Sequence, residues 1–121
     1  MDVKSKSATS HATNTANNAV ATATLAAPGT GLQYLITGFS ASFQGALPTT
    51  GIQCVVTIGS ITKNYGISNN PIIGLFEYPI PSGDNGAASI TLQAGGVGSI
   101  GCVNISGFII PSKQGGLTLT D

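Results

Sequence analysis

The stretch Gly95–Ile110, GGVGSIGCVNISGFII, decides the fold. Gly96, Gly98 and Gly101 stand at the G-x-G-x-x-G spacing of a dinucleotide-binding loop. Such a loop needs a helix after it, whose N-terminus holds the pyrophosphate. Here the chain continues with Cys102-Val103-Asn104-Ile105, β-branched and alternating, which reads as a strand. The acidic residue required about twenty positions further on is also missing, with only Asp121 near. These glycines therefore turn the chain between two strands.

Outward from that turn, the period-two pattern continues in both directions. On its N-terminal side, AASITLQA points Ala88, Ile90 and Leu92 inward. IQCVVTI does the same with Ile52, Cys54, Val56 and Ile58. ITKNYGI is more polar and reads as an edge strand, where Lys63 discourages further pairing. IIGLFEY is a further strand, followed by the Pro- and Gly-rich loop PIPSGDNG, whose Asp84-Asn85-Gly86 suits a tight turn. VATATLA places Val20, Thr22, Thr24 and Ala26 on one face.

Two long strands change parity. In LQYLITGFSASF, Leu32, Tyr34 and Ile36 share one parity and Phe39, Ala41 and Phe43 the other. A one-residue slip turns a strand inside out, so a bulge at Thr37-Gly38 is the economical reading. SIGCVNISGFII reads the same way, with Val103 and Ile105 before Gly107 and Phe108 and Ile110 after it. The phrases ITGF (Ile36–Phe39) and ISGF (Ile105–Phe108) suggest neighbouring strands bent at one level. QGGLTLTD can add a terminal strand through Leu117 and Leu119. No segment has the apolar spacing of an amphipathic helix. About seven or eight short strands punctuated by turns make an all-β, jelly-roll-like antiparallel β-sandwich. Residues 1–18, rich in Ser, Thr, Asn and Ala, bury too little to fold alone and read as an extended or disordered arm before a sandwich of residues 19–121.

Charge excludes several functions. Only 7% of the 121 residues are charged, against about 25% in typical soluble domains. Between Ser7 and Ser112 the charged residues are Lys63, Glu77 and Asp84, and the net charge is zero. Such a body repels its own copies weakly and is suited to being covered. Four scattered lysines make no nucleic-acid groove. No apolar run reaches the length of a membrane span, and the N-terminus lacks a signal-peptide core, so synthesis in a cytosol is expected. Cys54 and Cys102 read as small hydrophobes, and with one remote His they make no metal site. Glu77 and Asp84 are the only internal carboxylates, and His11 sits in the arm without fixed geometry. No catalytic residue, cofactor or small-molecule substrate is expected, and the chain reads as a binding protein, not an enzyme.

The order AAPGTGLQYLITGFSASFQGA, GIQCVVTIG, then IGLFEYPIPSGDNGAASITLQAGGVGSIGCVNISGF resembles small β-sandwich proteins of phages and prophages, over roughly residues 19 to 110. Capsid decoration, or cement, proteins of tailed phages are of this look. The resemblance implies a jelly-roll-like homotrimer bound to the phage major capsid protein on the capsid exterior, made in the bacterial host cytoplasm. On that reading the assembly interface is Asn14, Asn17 and Asn18 in the arm with Val20, Thr22 and Thr24 after it. The alternative is a receptor- or carbohydrate-binding module of a phage fibre, with Tyr78, Asp84 and Asn85 as the ligand loop.

Overall fold

The computed structural model describes residues 9–67 and 70–112. These form eight strands: β1 (Thr9–Asn17), β2 (Ala21–Leu25), β3 (Leu32–Gly45), β4 (Ile52–Ile58), β5 (Ile61–Ile67), β6 (Ile72–Pro81), β7 (Ala88–Leu92) and β8 (Ser99–Pro111). No helix occurs among the described residues. The pairing is nested and antiparallel: β4 with β5, β3 with β6, β2 with β7, and β1 with β8. The chain is thus one long hairpin with the β4–β5 turn at its tip. Rolling that hairpin up brings β3 beside β8 and β4 beside β7. Two four-stranded sheets result, β1-β8-β3-β6 and β2-β7-β4-β5. This is the jelly-roll arrangement of an antiparallel β-sandwich.

The alternating residues set the core. Ile36, Cys54, Val56, Ile58, Ile90, Leu92, Val103 and Ile105 are fully buried between the sheets. Burying each large aliphatic side chain contributes about 1.5–3 kcal/mol, so this layer holds the sandwich together without ionic groups. β5 is an edge strand, and register places Lys63 opposite inward-facing Val56. An inward-pointing charge on an edge blocks the addition of another strand.

The bulge in β3 is where the pattern puts it. Register slips between Ile36 and Gly38, so Thr37 is the extra residue. Tyr34 and Ile36 are buried before it, and Phe39 and Ala41 after it. ITGF and ISGF do lie side by side, with Ile36 opposite Gly107 and Gly38 opposite Ser106.

The second expected parity change does not occur. β8 pairs with β1 in unbroken register from Ile100 to Phe108. Ile109 packs against the core, while Phe108 and Ile110 fall on the outer parity. Gly107 has a different purpose: a Cβ there would run into the Leu35 carbonyl oxygen and lie 2.9 Å from Ile36 Cα. The bulge pushes the β3 backbone against β8, and β8 yields by having no side chain at that point.

β1 also departs from expectation. Thr9–Asn17, in the stretch read as an arm, are extended, but they pair along β8 of the same chain. His11 is accordingly held in a strand opposite Ser106. β1 lacks a strong apolar alternation because its inner positions are Ser10, Ala12, Asn14 and Ala16, and backbone pairing carries it. The first eight residues of the arm, and Leu117 and Leu119 of the expected terminal strand, lie outside the described residues. The GGVG segment is the predicted turn: Gly96 and Gly98 take positive φ, and Ser99 N–H donates to Gly96 O at 3.0 Å.

Candidate binding surfaces

The loop after β6 is fixed from within. Asp84 Oδ1 accepts from Gly31 N–H at 2.7 Å and from the Ser112 hydroxyl. Asn85 Oδ1 accepts from Gly29 N–H at 2.9 Å, and Asn85 N–H donates to Leu32 O at 2.7 Å. Asn85 takes a φ of 54°, a conformation that Asn tolerates better than most residues. Ser82 adds to the lock, its hydroxyl accepting from Tyr34 N–H at 3.0 Å. Asp84 and Asn85 therefore tie the β6–β7 loop to the β2–β3 turn and to the end of β8. Their Oδ1 atoms are engaged by the protein's own backbone.

Tyr78 lies apart from that lock. Between Ile36–Ile80 and Gly38–Leu75 the pairing of β3 with β6 skips, and residues 76–79 of β6 bulge out around the single Thr37. Tyr78 on this bulge is 79% exposed, and Glu77 beside it is exposed as well. Just before it on β6, Ile73 and Leu75 are 71% and 81% exposed. They share the outer face of an edge strand. Phe76, on the inner face, meets Phe39 with ring centroids 5.9 Å apart, and Tyr65 meets Phe39 at 5.0 Å.

At the opposite side of the sandwich, the chain turns from β1 into β2 through Asn18, which has a φ of 49°. Asn18 N–H donates to Ser99 O at 2.8 Å. Asn14 Nδ2 donates to Thr22 O at 2.9 Å, joining the edge of one sheet to the edge of the other. Asn14 and Thr22 are thus brought together. Asn17, Asn18 and Val20 line the exposed corner between them. Thr24 lies one pleat beyond Thr22 on the outer face of β2.

That outer face carries a feature the sequence reading missed. Register aligns Thr24, Ser89, Thr57 and Thr62 straight across all four strands of the second sheet. The neighbouring row is Thr22, Thr91, Val55 and Asn64. Thr22 and Thr91 hydroxyls lie 3.3 Å apart. Neither row contains a charged residue. Hydroxyls can donate and accept, and covering them costs far less desolvation than covering ions. The signal was available, since these residues occupy the alternate positions between the inward-facing apolar ones.

The thiols belong to different faces. Cys54 is free and fully buried, and burial pushes its thiol from an ordinary 9.0 up to about 11. Burial also raises Tyr34, whose hydroxyl donates to Ala26 O at 2.7 Å. Cys102 is free and half-buried on the opposite parity of its own sheet, between Thr15 and Ser42. No group of three His, Cys, Asp or Glu side chains that could hold a metal occurs among the described residues.

No family model and no curated protein matches this chain. Solved structures do resemble it in architecture. FLHE has a TM-score of 0.42 and 10% identity, over 83% of this chain and 97% of that one. The C-terminal domain of A223, a structural protein of sulfolobus turreted icosahedral virus, has a TM-score of 0.39 and 14% identity, over 84% and 91%. The N-terminal cellulose-binding domain of a Cellulomonas fimi β-1,4-glucanase has a TM-score of 0.35 and 12% identity, over 87% and 80%. Viral structural proteins and carbohydrate-binding modules both occur among such structures.

Proposed function

We propose that this protein is a structural component of a phage virion, a decoration protein that binds the outside of the major capsid shell as a homotrimer and stabilises it. The observation that carries the reading is the uncharged hydroxyl face of the second sheet, where Thr22 and Thr24 of the expected interface join Ser89, Thr57 and Thr62. A flat face of this kind binds by area and by many exchangeable hydrogen bonds, and it presents no buried ion to desolvate. The sequence resemblance to capsid cement proteins names the partner. The rolled hairpin supplies rigidity, since every strand but β5 is tied to a partner distant in sequence.

Co-sedimentation with capsid shells tests the reading. Wild-type protein should pellet with shells, and Thr57→Lys, which puts a charge in the centre of the hydroxyl row, should stay in the supernatant while keeping its β-sheet circular dichroism. Equal pelleting of both would overturn the assignment of this face. The arm is tested separately, by a deletion that stops before Thr9 so that β1 is preserved.

In the fibre-module reading Tyr78 supplies the exposed aromatic contact, and Asp84 and Asn85, exposed in the loop that follows, also hold that loop through their Oδ1 atoms. A glycan signal abolished by Tyr78→Ala would favour that reading over the decoration protein.

A further inference from the structure

The four sheet edges are not equivalent. The edges at β1 and β2 are joined to each other through Asn14 and Thr22. The edge at β5 carries Lys63 on its inner parity. The edge at β6 is protected only at its ends, by Pro71 at one and by the bulge with Pro79 and Pro81 at the other. From Ile72 to Phe76 it is uncharged, and its outer face shows Ile73 and Leu75 almost entirely to solvent, with Tyr78 close behind in sequence. An exposed, apolar edge strand is a template for another strand.

We propose that the β6 edge pairs antiparallel with the β6 edge of a second copy of this chain, about a two-fold axis. Three observations select a second copy as the occupant. The segment is self-complementary: Pro71 bounds it on one side and charged Glu77 on the other, and the five uncharged residues between them, Ile72–Phe76, centre on Gly74. In that register Ile73 of each copy stands opposite Leu75 of the other, apolar against apolar, as an isologous contact requires. Charge does not oppose it, because the segment holds no ionic group and the chain has zero net charge.

Area sets the strength. Ile73 and Leu75 together offer roughly 250 Å² per copy, about a third of what a standard interface uses on each side. The pairing is therefore weak and concentration-dependent in solution. Copies held side by side on a surface meet at roughly millimolar effective concentration, where a weak contact of this kind closes. A two-fold contact differs from the three-fold contact of the proposed trimer and joins one trimer to the next. It does not depend on the capsid assignment, because it is read on the protein alone.

The experiment is sedimentation equilibrium of the full chain over a concentration series, with Leu75→Lys and, as a control, Val97→Lys. Val97 is 87% exposed at the β7–β8 turn, away from β6. Wild type and Val97→Lys should at least double in mass as concentration rises, a monomer stopping at the dimer and a trimer, with its three β6 edges, growing further, and Leu75→Lys should not. Hydrogen exchange at the amides of residues 72–76 should slow in the same concentration range for wild type and Val97→Lys but not for Leu75→Lys. A wild-type mass that never doubles overturns the proposal. So does doubling that survives Leu75→Lys, or doubling without protection of β6.

Discussion

Replacing Gly107 with Ala tests the account of the β3 bulge. The new methyl would meet the Leu35 carbonyl oxygen, Ile36 Cα at 2.9 Å and the Leu35 carbonyl carbon at 3.0 Å. All three are backbone atoms, so no side-chain rotation relieves the contact. Overpacking of this kind costs about 1–3 kcal/mol, and an unyielding neighbour puts it near 3 kcal/mol. Gly101 is the internal control, earlier on the same strand. A methyl there would meet Leu92 Cδ2 at 3.2 Å, Phe43 Cε1 at 3.6 Å and Ala21 Cβ at 3.7 Å, and the nearest of these is the end of a flexible side chain. Gly101→Ala should change stability by less than about 1 kcal/mol. In a domain of this size, Gly107→Ala should then melt about 10 °C below wild type, and Gly101→Ala within about 4 °C of it. Calorimetry with a urea titration measures both. Neither residue takes a positive φ, so a difference between the variants reports contact, not backbone conformation. If the two glycines prove equally tolerant, the bulge is not what excludes a side chain at residue 107.

Contacts elsewhere in the sandwich set four more outcomes. Asp84→Ala should cost about 2 kcal/mol in a urea melt, because it removes the acceptor of Gly31 N–H and of the Ser112 hydroxyl. Stability should fall in alkali: the Cys54 thiol is held neutral by burial, so folding strength is full below pH 9 and declines as pH rises towards 11, by up to about 3 kcal/mol. Melts of Cys54→Val should lose that part of the alkaline decline, leaving the part in the same direction from Tyr34. Deleting Thr37 should leave a cooperative melt, because it removes the extra residue and keeps Ile36, Phe39 and Ala41 at alternate inward positions in continuous register with β8. Deleting residues 1–8 should leave the melt unchanged, whereas deleting 1–17 should lower it by stripping β8 of β1.

Within one chain, alternation of apolar residues determined the strands and the all-β class, and parity located the bulge at Thr37, because a strand that buries one face writes period two into its own sequence. The same signal failed at Gly107. A parity change and a close backbone approach leave the same mark, a glycine amid apolar residues, and only the register of β3 against β8 tells them apart. β1 was invisible because an edge strand held by backbone bonds needs little apolar patterning. The lock that Asp84 and Asn85 make was not legible, because polar side chains in a loop read alike whether they meet solvent alone or also the amides of a turn distant in sequence. The rows Thr24–Ser89–Thr57–Thr62 and the bare edge at β6 are assembled from residues far apart in the chain. Tertiary pairing alone decided them, since only the rolling of the hairpin determines which strands become neighbours and which edge is left open.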